Sequence, residues 1–196
     1  MIAKTAFVFF KKHRDALKIV VQSSVIAACV VYVDEFWQIY MNRISVPLAL
    51  FGVISAAFTI TRVPGALLAS ALLKHFSHRT IISAASILTA AGIWGAAFAQ
   101  SAWGIPGMAA ACFAAALLEP VNAGYVHRRA ESSVRATIES AGAMALRLLS
   151  IGIGLVFGYI SDRYGIFSSF GMLGIVCAAS SVWFALSVSG SGKTAN

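Results

Sequence analysis

Six long apolar runs constrain this chain more than any other feature of its sequence. They cover 17–41, 46–73, 80–99, 105–126, 136–160 and 166–188, and the third and sixth contain no charged residue. A helix that crosses a bilayer needs about 20 mostly apolar residues. The runs are rich in Ala, Leu and Gly and lack sustained two-residue alternation, which favours helices over a membrane barrel. The sequence therefore predicts an all-α membrane protein with six transmembrane helices.

The composition excludes a water-soluble fold. The chain is 59% hydrophobic and 11% charged, whereas soluble domains carry about 25% charged residues. The gaps between the runs are too short to hold a soluble domain. We expect a basic cytoplasmic arm over 1–16, a six-helix transmembrane domain over 17–188 and a flexible cytoplasmic tail over 189–196. The apolar patch near the N-terminus is shorter than a signal peptide requires.

The basic residues predict the orientation in the membrane. Eleven of them lie before span one, in the loops after spans two and four, or in the tail, and only Arg43 and Arg163 lie in the opposite loops. Positive charge collects on the cytoplasmic side of membrane proteins. Both termini are therefore predicted to be cytoplasmic, in a multi-pass protein of the inner or plasma membrane. This topology explains the net charge of +8 without a nucleic-acid partner.

The first span carries a polar stripe. Tyr32, Glu35, Gln38 and Asn42 follow one another at steps of three and four residues, so they share one helical face. Asp34 is offset from the stripe but can reach Gln38. Charged groups in hydrocarbon are costly and face protein or a water-filled cavity. The alternative is that Asp34 and Glu35 lie at the level of the outer headgroups.

The fourth span carries a second polar group, made of Glu119, Asn122 and Tyr125 around the helix-kinking Pro120. At 1.5 Å per residue, Glu119 lies about 10 Å from the inner end of its span, and Arg147 in span five lies about 16 Å from the same end. The similar depths predict a contact between Glu119 and Arg147 if their helices are neighbours. Either a structural ion pair or a functional relay is compatible with it.

Two more charged residues lie within spans. Arg62 is near the middle of span two and is followed by Pro64 and Gly65, which loosen a helix. Glu139 lies within a turn of the cytoplasmic end of span five, four residues beyond Arg135. We interpret Glu139 as an interfacial acid close to a base.

Nothing in the sequence predicts a cofactor, a metal site or a catalytic centre. Cys29, Cys112 and Cys177 each stand alone in a span, which is typical of buried thiols that behave as small apolar residues. The four histidines lack the spacing of metal ligands. The segment "SGSGKT" at 189–194 lacks the first glycine of a phosphate-binding loop, and too few residues follow it to form the helix that the loop requires.

The two halves of the chain show a faint internal correspondence. Arg62 and Arg147 occupy the middle helix of each half at an offset of 85, and "SHRTII" (77–82) and "SDRYGI" (161–166) follow them at an offset of 84. Three is an odd number of spans, so the second triplet enters the membrane inverted relative to the first. Inverted triplets are a known transporter architecture. We therefore expect two inverted three-helix repeats.

Several segments resemble the C-terminal six-helix half of the major facilitator superfamily. "SVRATIES" (133–140) is similar to the entry of the eleventh helix of many bacterial members, and "GYISDRYG" (158–165) to the Gly-x-x-x-Asp-Arg-x-Gly phrase of the family. "EFWQIYMNRISVPLALFG" (35–52) resembles the end of the seventh helix, and "FFKKHRDALK" (9–18) the end of the long central loop. The likeness covers nearly the whole chain.

This resemblance implies secondary active transport of a small solute by alternating access. In the family, the first and fourth helices of each half line the cavity. Carried over, these positions are Tyr32, Asp34, Glu35, Gln38 and Asn42 in span one, and Glu119, Asn122 and Tyr125 in span four. A buried glutamate can carry a proton. Arg62 or Arg147 is expected to hold a substrate carboxylate or to balance that acid.

Members of the family have twelve helices, and this chain has six. We therefore expect a half-transporter or a fragment of a larger carrier, held in the lipid bilayer and paired with a second six-helix half or with a copy of itself. The alternative is a non-transporting remnant or scaffold subunit. An enzyme is not expected, because no nucleophile–base arrangement is present.

Overall fold

The computed structural model of the chain describes residues 10–11, 13–128 and 132–189. Within these ranges the chain forms six long helices, each with a stretch long and apolar enough to cross a membrane. They are α1 (Arg14–Arg43), α2 (Phe51–His75), α3 (His78–Ala99), α4 (Gly104–His127), α5 (Ser132–Tyr164) and α6 (Ile166–Ser189), with a 3₁₀ turn at Leu48–Leu50 before α2. The predicted all-α membrane fold with six spans is confirmed.

The predicted domain boundaries remain predictions. Helix α1 already begins at Arg14, inside the expected arm over 1–16. Residues 1–9, 12 and 190–196, which hold most of the arm, nearly all of the tail and most of the "SGSGKT" segment, lie outside the described residues. Helix α4 continues through Pro120 as one helix, and α2 continues through Pro64 in the same way.

Two short connections show why the helices end where they do. The Ser77 side chain accepts a hydrogen bond from the backbone N–H of Thr80 at 3.2 Å and so caps the start of α3. Gly165 joins α5 to α6 with φ of +85°, a conformation that glycine adopts without steric cost. These caps allow consecutive spans to reverse direction within a few residues.

The closest helix packing lies between α3 and α4. A Cβ on Gly92 would collide with the carbonyl oxygen of Gly107, and a Cβ on Gly107 would collide with that of Gly92. Gly65 of α2 lies equally close to the carbonyl of Phe113 in α4. Small residues bring membrane helices together because association there depends on close van der Waals contact. These glycines fix which helices are neighbours.

The principal helix packings join the first three helices to the last three. Helix α4 packs on α3 and α2, α1 packs on α6 and α5, and α3 packs on α6, whereas the sequence neighbours α1 and α2 scarcely touch, and nor do α4 and α5. Exchanging α1, α2 and α3 with α4, α5 and α6 maps each of these packings onto another of them or onto itself, whereas the packing of α5 on α6 has only a weak counterpart between α2 and α3. The two inverted three-helix repeats therefore remain a prediction.

Polar contacts at one end of the bundle join the helix ends that the sequence places in the cytoplasm. Arg79 donates to Asp15 at 2.8 Å, and the Nζ of Lys18 donates to the carbonyl oxygen of Ser187 at 2.7 Å. Arg128 contacts His78 at the same end. The starts of α1 and α3 and the ends of α4 and α6 therefore share one face. The side of the membrane on which this face lies remains a prediction.

A buried polar cluster ties α1, α3 and α6 together. The Nε2 of Gln22 lies 3.0 Å from the Oγ of Ser86 and 3.3 Å from that of Ser180, and Gln22 is completely buried. Sequence reasoning missed Gln22, although a glutamine inside an apolar run was visible. The predicted burial of the three cysteines is confirmed.

Candidate functional site

An ion pair in the middle of the spans joins α1 to α2. The Nη2 of Arg62 donates to Oδ1 and Oδ2 of Asp34 at 2.5 and 2.6 Å, and the two side chains are 38% and 36% exposed. The Sγ of Cys112 in α4 lies 3.5 Å from the same guanidinium and 3.7 Å from the carboxylate. An ionised pair of this kind is stronger than a neutral hydrogen bond, because each partner carries charge. The guanidinium of Arg62 is therefore already bound by a carboxylate of its own chain.

This ion pair corrects the expected environment of Asp34. The sequence suggested that Asp34 reaches Gln38, and the alternative, that it lies at the level of the outer headgroups, stays a prediction. Asp34 lies nine residues, about 14 Å along the helix, from the end of α1 at Arg43. Its carboxylate is partnered by Arg62, which the sequence had considered as an anchor for a substrate or as a balance for a glutamate.

Tyr32 packs inward against α5. Its hydroxyl donates to the carbonyl oxygen of Ser150 at 2.6 Å, and its ring stacks on Phe157 with centroids 5.3 Å apart. A Cβ on Gly154 would collide with the Tyr32 hydroxyl. Gly154 therefore makes room for a tyrosine, and the start of the predicted stripe is a helix contact between α1 and α5.

The rest of the α1 stripe is exposed. Glu35, Gln38 and Asn42 all lie on the surface of the six-helix bundle. Asn42 also lines a pocket of about 370 Å³ at the end of α1, whose other lining residues are Ile39, Arg43, Ser161, Gly165 and Ile166. A polar face of this kind is costly against lipid, so it requires water or a second protein surface.

The polar residues of α4 separate into two environments. Glu119 is exposed, whereas Tyr125 is buried with its ring 5.2 Å from that of His78. Asn122 is partly buried, and its Oδ1 accepts no hydrogen bond from the described residues. The polar group predicted in span four therefore divides between an exposed carboxylate and side chains that pack on the bundle.

The predicted contact between Glu119 and Arg147 is wrong for this structure. Both side chains are exposed, and no ion pair joins them in the part of the chain that is described. The reason lies in the packing, because α5 leans on α1 and α6 and scarcely touches α4. Glu139 contacts the Nε2 of His127, while Arg135 donates to the His127 carbonyl oxygen at 3.3 Å. The base next to Glu139 is thus a histidine.

Helices α2 and α5 leave most of their surface uncovered. Only 17% and 6% of their apolar stretches are buried, against 39–61% in the other four helices. Large apolar side chains such as Ile60, Leu67 and Leu155 are exposed there, and Arg147 lies among those of α5. A cation in the middle of an apolar membrane helix is costly against lipid. The α5 surface around Arg147 therefore requires another cover.

Comparisons with known proteins identify the fold. No family model matches the sequence, and no curated protein matches it. Among solved structures, the POT family transporter PepTSo superposes on 88% of this chain with a TM-score of 0.71 at 17% identity. The chain spans 37% of that transporter. Its described helices therefore have the fold of one part of a membrane transporter, of the size of a six-helix half.

Proposed function

We propose that this chain is the six-helix half of a secondary active transporter that carries a small solute across the membrane. The observation that carries the proposal is the exposure of Glu35, Glu119 and Arg147 inside membrane spans. Each such charge costs roughly 2.5–3.5 kcal/mol in hydrocarbon on insertion scales. A solute pathway between two halves offers these groups both water and a protein cover, and the fold of the solved transporter supports this arrangement.

The chain acts together with a second surface. We propose that a second six-helix half, or a second copy of this chain, covers the exposed faces of α2 and α5. The polar residues of α1 and α4 then belong to the pathway or support it. They are Glu35, Gln38 and Asn42 in α1, and Glu119, Asn122 and Tyr125 in α4. Arg147 provides a fixed cation in the pathway. The ion pair of Asp34 and Arg62 lies at the edge of the pathway. We place the assembly in the inner or plasma membrane.

Proton coupling is part of the proposal and is assigned to the exposed carboxylates. Glu35 and Glu119 have no ion-pair partner among the described residues, so either can exchange a proton with water in the pathway. Asp34 is not assigned this role, because its carboxylate is already bound by Arg62.

Proton movement in sealed liposomes tests the function without a labelled substrate. Vesicles loaded with a pH-sensitive dye are exposed in turn to amino acids, dipeptides, sugars, nucleosides and organic acids. We expect one class to acidify the interior, and Glu119→Gln or Glu35→Gln to reduce the signal at least tenfold. Radiolabelled uptake of the same panel, at equal pH on both sides, detects transport that is not coupled to protons.

The same vesicles distinguish a transporter from a non-transporting scaffold subunit. The experiment is done with the chain alone and with a co-expressed six-helix partner, if one is captured after detergent extraction. Absence of flux and of labelled uptake in both preparations, with the protein folded, would favour the scaffold.

A further inference from the structure

Basic side chains meet at the end of the bundle where α3 begins, α4 ends and α5 begins. Arg128, which follows the last residue of α4, contacts the Nε2 of His78, the first residue of α3. A guanidinium carries donors only, so the His78 nitrogen is the acceptor of this contact. Arg128 forms no ion pair with a carboxylate among the described residues. Its positive charge is therefore not balanced within that part of the chain.

A second guanidinium lies beside the first. Arg135, near the start of α5, donates through Nη2 to the carbonyl oxygen of His127 at 3.3 Å, and His127 directly precedes Arg128 in the chain. The Nε of Arg135 is buried and has no hydrogen-bond partner among the described residues. A buried donor without an acceptor is costly. This nitrogen is therefore available to an acceptor from outside the chain.

The acids described at this end of the bundle are already bound. Asp15 pairs with Arg79 at 2.8 Å, and Glu139 contacts His127. Against these two acids stand six arginines and lysines at the described helix ends. They are Arg14, Lys18, Lys74, Arg79, Arg128 and Arg135. Residues 129–131, which lie outside the described residues, add one arginine and one glutamate and leave this balance unchanged. The excess positive charge attracts an anion.

The position of these groups along their helices indicates which anion fits. Helices α3, α4 and α5 each contain a stretch that can cross a membrane. Arg128 and Arg135 lie within three residues of a helix end, or about 5 Å along the axis, where a span meets the lipid headgroups. Arginine binds phosphate through paired N–H donors, and basic pockets between membrane helices at this level bind phosphate headgroups. The donors and their depth therefore suit a phosphate group.

We propose that Arg128 and Arg135 bind a phosphate group between the ends of α3, α4 and α5. Arg135 donates its Nε–H to a phosphate oxygen, and Arg128 donates through N–H groups that His78 does not engage. His78 is a positioning residue, because its Nε2 holds Arg128 and its ring packs on that of Tyr125 with centroids 5.2 Å apart. The phosphate belongs to an anionic lipid headgroup or to a free phosphate in the aqueous phase. Either ligand ties α4 to α5, which scarcely pack on each other. The site does not depend on the proposed transport function.

Binding of phosphatidylglycerol to the full chain tests the site. The purified protein in a non-ionic detergent is titrated with this lipid and examined by native mass spectrometry, at about 0.15 M salt, where charges beyond about 8 Å are largely screened. We expect one lipid to bind more tightly than those that follow. Arg128→Gln and Arg135→Gln should each weaken its binding about tenfold or more, because a charge-assisted hydrogen bond is lost. Arg135→Lys keeps the charge without the paired donors and should weaken binding about threefold or more.

Two matched controls separate a built site from general attraction. Lys74 is exposed at the same end of the bundle, and Lys74→Gln removes one positive charge without removing a donor of the site. It should change the binding less than about twofold. His78→Ala should weaken binding by releasing Arg128, whereas His78→Gln keeps an acceptor and should restore most of it. Circular dichroism and gel filtration verify that each variant is folded.

Inorganic phosphate identifies the source of the ligand. Thermal unfolding is followed in lipid-free detergent while sodium phosphate replaces sodium chloride at constant ionic strength. Stabilisation by phosphate that Arg135→Gln abolishes would support the site with a free phosphate as its ligand, and tight binding of phosphatidylglycerol without an effect of phosphate would support it with a lipid. Equal weakening by Lys74→Gln and the arginine changes would overturn the site, as would undiminished binding in the double variant Arg128→Gln with Arg135→Gln, or no effect of either ligand.

Discussion

Asp34 and Arg62 bridge two helices that scarcely pack against each other. One guanidinium nitrogen contacts both carboxylate oxygens, at 2.5 and 2.6 Å, and α4 lies alongside with the thiol of Cys112. Helices α1 and α2 are both held by α4, so the ion pair adds a direct connection between helices that are otherwise joined through a third. The bundle can therefore be expected to depend on this pair for the placement of α2.

Removing one partner of this ion pair should destabilise the fold, because it leaves an unpaired charge among apolar helices. Breaking a fully buried pair costs about 3–5 kcal/mol, and more than a third of each side chain is exposed here. We therefore expect about 1–2 kcal/mol for Asp34→Asn and for Arg62→Gln, measured by unfolding in mixed detergent micelles. The double change should recover part of the loss.

Glu35 is the matched control for the Asp34 prediction. It is the next residue on the same helix, it is exposed, and it has no ion-pair partner among the described residues. Glu35→Gln should change the free energy of unfolding by less than about 0.5 kcal/mol. Equal losses in the Glu35 and Asp34 variants would show that the ion pair contributes nothing specific.

The α3–α4 contact should be sensitive to a single methyl group. A Cβ on Gly92 meets the backbone of α4, which cannot move as a side chain can, whereas a Cβ on Gly95 finds open space. We expect Gly92→Ala to destabilise by about 1–3 kcal/mol through overpacking. Gly95→Ala should be neutral or slightly stabilising, since alanine favours helix. Thermal unfolding of both variants in one detergent compares them.

A second pair of glycines on α5 tests the position of Tyr32. Gly154→Ala places a methyl group against the Tyr32 hydroxyl, while Gly158→Ala has nothing within 4 Å. The first change should displace the ring and weaken the hydrogen bond to Ser150, at a cost of about 1–3 kcal/mol. The second change should not. Equal thermal stability of the two variants would show that the Tyr32 side chain does not pack against Gly154.

The number and type of the helices could be predicted from the sequence, because an apolar run of about 20 residues has the length that a helix needs to cross a bilayer. The partners of the charged residues could not. Depth along a span gives only one coordinate, and the choice of neighbour depends on close contacts such as that between Gly65 and Phe113. For this reason the similar depths of Glu119 and Arg147 along their spans did not predict a contact, and no ion pair joins them among the described residues.

The orientation predicted from the basic residues can be checked by labelling from each side. His75 ends α2 on the basic face, and Ser101 precedes α4 at the other end of α3. Single cysteines at these positions, in a chain without native cysteines, should react with an impermeant reagent from opposite sides of the membrane. We expect the residue at 75 to react only from the cytoplasmic side. Reaction of both from one side would contradict the six-span topology.

Glu119 and Arg147 should behave differently from Asp34 and Arg62 in unfolding experiments. Glu119 and Arg147 are exposed and form no ion pair with each other, so neither Glu119→Gln nor Arg147→Gln strands a charge that was previously balanced. Each variant should lose less than about 0.5 kcal/mol in detergent, and the double-mutant cycle should be additive. The matched cycle at Asp34 and Arg62 should show coupling of about 1 kcal/mol or more. Comparable coupling in both cycles would show that Glu119 and Arg147 form an ion pair, and the separation of α4 and α5 would then be wrong.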